Sequence, residues 1–389
     1  MQFRGFRGAA AIIAVCTLAA CGGGSGNGLS LPASPQFLAH KQARGGCNPK
    51  GFAYVTNIGS DAISAYSIDS SSGALQPVKH SPFATLQFPW GIGVAGKFVY
   101  VANGVSTDQY NYSPSRVSAY KIKNAKGVLT GVSGSPFADG GHGAADLKVS
   151  VDQKYAYVVN IYSNDVAGYK INATNGTLTP MPGYGFGTGG QPETMAIDPK
   201  GRFAYVPNTL SDNVSAFTID DATGALIPVA GSPFPAGFTP AGAAVDSTGN
   251  FLYVTNANSN SISAYVINQS TGALTSVLGS PFPSNTPSRV VADPKANFIY
   301  VTNNGTNTVS AYAINPATGM LTAVSRSPFA TDTSPSAIAT DSMGRFLYVA
   351  NTVSNTISAY SILASGALVP IAGSPFATGK APADIAVTL

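Results

Sequence analysis

Two residue types that can take part in catalysis or ligand binding occur only once in this chain of 389 residues. Glu193 is the only Glu and Trp90 the only Trp; each directly follows a proline, and Arg289 follows Pro287 by two residues. A carboxylate can act as a general base or accept hydrogen bonds, a guanidinium can stabilise an oxyanion, and an indole offers a flat apolar face. We therefore predict that the three bind a small polar or sugar-like ligand, with Glu193 and Arg289 as catalytic candidates.

Histidine and cysteine offer little beyond this set. His occurs at positions 40, 80 and 142 and Cys at 16, 21 and 47, without a CxxC or paired-His spacing, so we expect no metal site and no cofactor. His142 is a third catalytic candidate, provided that its loop bends toward the site. The formal charge of +4 comes from basic residues without a run that could follow a phosphate backbone, so nucleic acid is not an expected partner.

The elements that must position these residues come in a repeat. The tetrapeptide Tyr-Val-x-Asn recurs seven times, from Tyr54 to Tyr348, at steps of 46 to 57 residues. With 44% hydrophobic and 10% charged residues the chain is not disordered, and 43 Gly and 27 Pro argue against helices. A period of about 40–50 residues built from short strands is typical of β-propeller blades.

The fourth repeat shows one blade in detail. Its segments 193–198, 203–206, 214–219 and 225–229 have the composition of four strands joined by tight turns. The first repeat lacks an opening strand, and residues 381–389 form an opening strand without a successor. The sequence therefore predicts an all-β, seven-bladed propeller over residues 51–389, with four-stranded antiparallel blades and a ring closed by the C-terminal strand.

The N-terminus has the features of an export signal. Arg4 and Arg7 precede an apolar stretch too short to span a bilayer, and the segment ending at Cys21 resembles the lipobox of bacterial lipoproteins, although an ordinary signal-peptidase site remains the alternative. We predict a signal peptide at 1–20, a lipidated Cys21, and a Gly-rich tether over 21–50. The expected location is the cell envelope, anchored in the outer membrane and facing the periplasm, with the membrane as a partner.

The tetrapeptides YVTN, YVAN and YVPN and the Thr-Gly-x-Leu turns resemble the YVTN-repeat propellers and the seven-bladed lactonase family, which includes 6-phosphogluconolactonase-like and muconate-type enzymes. This resemblance implies lactone hydrolysis at the central funnel. The family's Gly-Pro-Arg-His pattern aligns with Gln191 to Thr194, so the Arg position holds Glu193 and the His position Thr194. The acidic residue that follows the Asn of that blade is replaced by Thr209.

The predicted funnel mouth is poor in titratable groups. We place at the mouth one residue per blade, the one after the proline that opens the inner strand: Trp90, Leu147, Glu193, Ala241, Ser288, Ser336 and Ala383. Only one member of that set titrates. The primary expectation is therefore an envelope lipoprotein whose propeller binds a protein, polysaccharide or small ligand without catalysis, and the alternative is a lactonase that hydrolyses a sugar-type lactone.

Overall fold

The computed structural model describes residues 51–104, 114–123, 126–181, 183 and 185–388. The predicted signal peptide, Cys21 and the tether lie outside these residues, so they stay predictions. Within the described ranges, no helix is long and apolar enough to cross a bilayer.

The chain folds into short strands grouped by blade. The first three blades contain β1 (Gly51–Asn57), β2 (Ala62–Ile68), β3 (Leu75–Pro77) and β4 (Phe83–Ala84); β5 (Pro89–Ala95), β6 (Phe98–Asn103), β7 (Arg116–Lys123), β8 (Val128–Gly131) and β9 (Phe137–Ala138); β10 (Ala144–Val149), β11 (Tyr155–Asn160), β12 (Asp165–Ile171), β13 (Leu178–Pro180) and β14 (Phe186–Gly187). The fourth and fifth contain β15 (Ala196–Ile197), β16 (Phe203–Asn208), β17 (Asn213–Ile219), β18 (Leu226–Pro228) and β19 (Phe234–Pro235); β20 (Pro240–Val245), β21 (Phe251–Asn256), β22 (Ser261–Ile267), β23 (Leu274–Ser276) and β24 (Phe282–Pro283). The sixth and seventh contain β25 (Pro287–Ala292), β26 (Phe298–Asn303), β27 (Thr308–Ile314), β28 (Leu321–Ala323) and β29 (Phe329–Ala330); β30 (Pro335–Thr340), β31 (Phe346–Asn351), β32 (Thr356–Ile362), β33 (Leu368–Pro370) and β34 (Phe376–Ala377), followed by β35 (Pro382–Thr388). Two short 3₁₀ turns, Ile58–Ser60 and Asn304–Thr306, also occur.

Seven separate antiparallel sheets confirm the seven-bladed propeller. Each has the order inner, second, third and outer strand, as predicted. Each also has a fifth strand of two residues that the four-stranded prediction did not include. In the first blade this is β4, which pairs with the start of β2. It begins at the Phe of the repeated Ser-Pro-Phe segment, so that segment belongs to its own blade rather than only linking it to the next.

The C-terminal strand closes the ring, as the sequence predicts. Strand β35 is the inner strand of the first blade and pairs with β1 in antiparallel register from Phe52↔Thr388 to Asn57↔Pro382. The first and last residues of the propeller are therefore side by side in one sheet.

Adjacent blades are joined by the Tyr of each tetrapeptide. All seven of these tyrosines are fully buried. Six donate their hydroxyls to the carbonyl of the turn glycine of the following blade, among them Tyr54 to Gly127 at 3.2 Å and Tyr348 to Gly73 at 2.8 Å. Gly127 has a φ of +70°, and a Cβ there would lie 2.3 Å from the Phe52 ring, so the turn accepts only glycine. The repeat thus encodes both the strands and the contacts between blades.

The tetrapeptide Asn residues mark one end of the ring. Each ends a second strand, and Asn208, for example, donates to the Ser215 hydroxyl of the third strand at 2.9 Å. We call this end the Asn face. The opposite end, where β1 begins at Gly51, is the Gly51 face.

Candidate functional site

The inner strands begin at the Asn face and extend toward the Gly51 face, and most of them have a bulge at their start. The register between the inner and second strands of a blade shifts just after the first paired residue of the inner strand. This shift occurs at β5, β10, β20, β25, β30 and β35. In the fourth blade an isolated bridge from Pro192 to Asn208 precedes the short β15. A bulge sets extra residues against one partner residue and re-aims side chains. Two successive residues of one strand can therefore face the axis.

The third blade corrects one prediction. Ala144 is the residue that pairs with the tetrapeptide Asn160, so Ala145 and Asp146 follow it at the mouth. Leu147 is fully buried in the cluster between the second and third blades, and its placement at the mouth was wrong. This blade has Ala144 where all six others have proline, so the sequence gives no marker for the start of its inner strand.

The three predicted ligand residues lie around one cavity at the Asn face, which we call the mouth cavity. It has a volume of about 190 Å³ and is lined by Trp90, Tyr162, Glu193 and Arg289 among others. The Arg289 Nη2 lies 3.2 Å from Glu193 Oε1, with about a quarter of each side chain exposed. Trp90 is 39% exposed, so its indole is accessible to a ligand.

The ion pair is held in a fixed geometry. Arg289 Nη1 donates to the carbonyl of Ala241 at 3.2 Å. The Thr209 hydroxyl donates its one proton to the carbonyl of Pro240 at 2.9 Å, so its 3.4 Å approach to Glu193 Oε2 is a weak contact. Arg289 is therefore oriented before any ligand arrives, and Glu193 is positioned by its ion pair with Arg289.

A second, larger cavity follows the axis, and we call it the axial cavity. It has a volume of about 400 Å³ and shares Trp90, Ala145 and Arg289 with the mouth cavity. Its lining adds three charged residues that the sequence analysis missed, Asp146, Lys148 and Asp384. Asp146 and Asp384 occupy the second position after the residue paired with the tetrapeptide Asn, as Arg289 does. The sequence analysis assigned one residue per blade to the mouth, and these residues lie at a second position of the inner strand that it did not include.

The buried carboxylates are fully engaged with the protein. Asp146 Oδ1 lies 2.8 Å from Lys148 Nζ, and its Oδ2 accepts from the Met195 amide at 3.0 Å. Asp384 accepts from the Ile92 amide at 3.1 Å and from the Ile385 amide at 2.8 Å. Asp384 therefore binds the inner strands of the first two blades together at the axis.

The charges in the axial cavity act on one another. Burial raises the pKa of Asp384, Lys148 opposes that shift, and Asp146 adds to it. Burial alone would lower the pKa of Lys148 and of Arg289, but the neighbouring carboxylates outweigh it and raise both. Lys148 and Arg289 therefore remain cationic beside buried carboxylates.

His142 does not join this group. It lies in the loop before β10, where its amide donates to the Ser163 hydroxyl at 3.0 Å and its carbonyl accepts from the Tyr162 amide at 3.1 Å. Its side chain is not part of the lining of either cavity. Across the described residues, no three His, Cys, Asp or Glu side chains are grouped to hold a metal ion.

This geometry defines a class of protein: a propeller with a preorganised polar site on its axis. The chain belongs to the seven-bladed β-propeller lactonase family, whose model, "Lactonase, 7-bladed beta-propeller", matches residues 114–238 and 230–331. No curated protein sequence gives a significant match.

Solved structures with the same fold come from several bacteria. A crystal structure of a putative 6-phosphogluconolactonase from Bacteroides uniformis superposes with a TM-score of 0.74 at 17% identity, covering 87% of this chain and 99% of that one. The periplasmic gluconolactonase of Pseudomonas aeruginosa superposes with a TM-score of 0.73 at 19% identity, with the same coverage. At such identities the likeness establishes the fold, and the site must be interpreted from its own residues.

Proposed function

We propose that this protein is an exported, lipid-anchored propeller that binds a small polyhydroxylated ligand, a sugar-type lactone or the corresponding sugar acid, at the mouth cavity. One observation carries the proposal: the Glu193–Arg289 ion pair and the accessible Trp90 line the same cavity. Binding, rather than catalysis, is the primary function in this proposal.

The chemistry of the three side chains fits that ligand class. Arg289 keeps its charge and can donate to a carbonyl or carboxylate oxygen of the ligand. Glu193 can accept hydrogen bonds from ring hydroxyls, and the Trp90 indole can cover the apolar face of a sugar ring. The mouth cavity, at about 190 Å³, and the axial cavity, at about 400 Å³, share Trp90, Ala145 and Arg289, and together they have the size of a small-molecule site.

The proposed location follows from the N-terminal sequence. A lipidated Cys21 and a Gly-rich tether would keep the propeller at the membrane surface while leaving it free in the surrounding compartment. The gluconolactonase of Pseudomonas aeruginosa is itself periplasmic by its description. Such a compartment would expose the site to exported or external sugar derivatives.

Lactone hydrolysis is the second candidate function, and the charged lining of the axial cavity favours it. Ring opening needs a base to activate water and a cation or donor to stabilise the oxyanion. Asp384, with its raised pKa, and Asp146 are the carboxylates of this cavity, Glu193 lines the adjoining mouth cavity, and Arg289 and Lys148 are the available cations. Against this role, both oxygens of each buried aspartate already accept hydrogen bonds from the protein.

Trp90 provides the test, because it is the only Trp in the chain. Titration of the purified protein with gluconate and with glucono-1,5-lactone should give a saturable change in Trp fluorescence. The change should be lost in Arg289→Ala and kept in Arg326→Ala, a control at an exposed turn of the same blade. No saturable change with either compound would refute the proposal.

Proton release during the same titrations separates the two candidates. We expect lactone opening at the buffer rate only. Enzymatic turnover with saturation kinetics that falls about a hundredfold in both Glu193→Gln and Arg289→Ala would establish the hydrolase instead.

A further inference from the structure

The chain enters the propeller at the end opposite the mouth cavity. Strand β1 begins at Gly51 and ends at Asn57, which pairs with Pro382 on the Asn face. Its seven residues span about 20 Å at the usual rise per residue. Any tether that precedes residue 51 is therefore joined to the Gly51 face.

Four lysines lie together on that face in the second blade. Lys97 is in the turn between β5 and β6, Lys121 and Lys123 are at the end of β7, and Lys126 is in the turn that follows. All four are exposed, and the Ile122 amide donates to the Lys97 carbonyl at 2.8 Å, which holds the two turns side by side. We call these four residues the lysine patch.

The acid on the adjoining turn of the third blade, Asp152, is paired with Lys154 at 2.9 Å. Between Asp69 and Asp139 the sequence contains a single acidic residue, Asp108, which lies outside the described residues. In the fourth blade the same end carries Asp220 and Asp221 together with Lys200 and Arg202. Among the described residues, the second blade therefore has the largest excess of basic over acidic side chains on the Gly51 face.

A cavity opens within the patch. It has a volume of about 800 Å³, and its lining includes Lys97 and Lys121 together with Gln153, Thr388 and the apolar Phe52. The two ammonium groups can bind the phosphate of a phosphate ester, and the apolar wall can contact its alkyl portion. Phospholipid headgroups have that composition.

We propose that the lysine patch docks onto anionic phospholipid headgroups of the membrane to which the chain is tethered, so that the mouth cavity points away from that membrane. This inference rests on the proposed lipid anchor for the choice of occupant. A Gly-rich tether over residues 21–50 would span roughly 30 Å, which keeps the Gly51 face near the lipid surface. Lysines attract anionic lipids only at short range, within a Debye length of about 8 Å.

Vesicle sedimentation tests the docking independently of the anchor. The full chain with Cys21→Ser, which cannot be acylated there, should bind vesicles of one part phosphatidylglycerol to two parts phosphatidylcholine more tightly than vesicles of phosphatidylcholine alone. Changing the four patch lysines to Gln should reduce the difference at least about tenfold. The control changes four exposed basic residues away from the Gly51 face, Lys79, Arg116, Arg326 and Lys380, to Gln, which removes the same charge and should have little effect.

Fluorescence of Trp90 reports which face of the propeller is turned toward the vesicle surface. In the vesicle-bound protein its fluorescence should stay unquenched by brominated lipids, because the mouth lies on the far face. Three results would overturn the inference: equal losses in the patch and control variants, quenching of Trp90 by the lipids, or patch-dependent binding to heparin without binding to the anionic vesicles. The gluconate titration needs no vesicles, so the ligand proposal succeeds or fails separately.

Discussion

Removal of the last strand, residues 381–389, should destabilise the whole propeller, because the ring depends on this one strand for closure. Strand β35 pairs with β1 from Phe52 to Asn57. Ile385, only 5% exposed, packs in the cluster between the first and seventh blades, and Val387 packs against it. Burial of Ile385 alone is worth about 1.5–3 kcal/mol, against a typical net stability of about 5–15 kcal/mol. The lost pairing and the exposed edge of β1 add to that cost.

A single hydroxyl tests the same closure without deleting backbone. Tyr348 donates to the carbonyl of Gly73 at 2.8 Å, a buried bond that joins the seventh blade to the first. Tyr348→Phe leaves the carbonyl without this donor, so we expect a loss of about 1–3 kcal/mol. Tyr300→Phe is the matched control, because the Tyr300 hydroxyl has no partner among the described residues, and its loss should be smaller.

Urea unfolding followed by Trp90 fluorescence and circular dichroism measures both effects. The truncated chain should unfold at a much lower urea concentration than the full chain, and Tyr348→Phe should lie between them with an unchanged m-value. The closure argument would be refuted if the truncated chain unfolded at nearly the same urea concentration as the full chain. It would also be refuted if Tyr348→Phe and Tyr300→Phe lowered the free energy of unfolding equally.

Three further predictions address the anchor, the packing beside the site and a buried acid. Cys21→Ser should abolish incorporation of labelled fatty acid and release the protein from the membrane fraction; equal retention would contradict the lipobox prediction. Gly91→Ala would place a Cβ 2.4 Å from the Leu147 amide nitrogen, so it should cost about 1–3 kcal/mol in denaturant unfolding, whereas Gly131→Ala, with open space around it, should cost little. Burial raises the pKa of Asp139 to about 7, so the folded chain holds a proton that the unfolded chain releases, and stability should fall as pH rises from about 4 to 7. Asp139→Asn should flatten that fall, a gain of up to about 4 kcal/mol above pH 7 in unfolding titrations, and an unchanged pH slope would contradict the assignment.

Most of the fold can be derived from the sequence because the same local signals recur in every blade. The tetrapeptide fixes the second strand, and the Gly before the fourth strand fixes a turn that only glycine can adopt, as at Gly127. The missing opening strand of the first repeat and the surplus strand at residue 381 together determine ring closure. The two-residue fifth strand was not predictable, because pairs such as Phe83–Ala84 are too short to show a period.

The site was only partly predictable. Trp90 and Glu193 were found because each is the only residue of its type and each directly follows a proline, and Arg289 because it lies one residue beyond the matching position of the sixth blade. Asp146 and Asp384 were missed because a bulge at the start of the inner strand turns a second residue toward the axis, and a strict alternation of faces hides it. The Glu193–Arg289 contact depends on the distance across the ring between the fourth and sixth blades, which spacing along the chain does not encode.

We propose that Glu193 and Arg289 recognise the ligand as one unit. Calorimetric titration of gluconate into the wild-type protein, Glu193→Gln, Arg289→Ala and the double variant tests this proposal, because the two side chains are in contact at 3.2 Å. Each single change should weaken binding, and the double change should cost less than the sum of the two, with a coupling of at least about 0.5 kcal/mol. Wild-type affinity in the single variants, additive losses, or no binding of gluconate by the wild-type protein would contradict it.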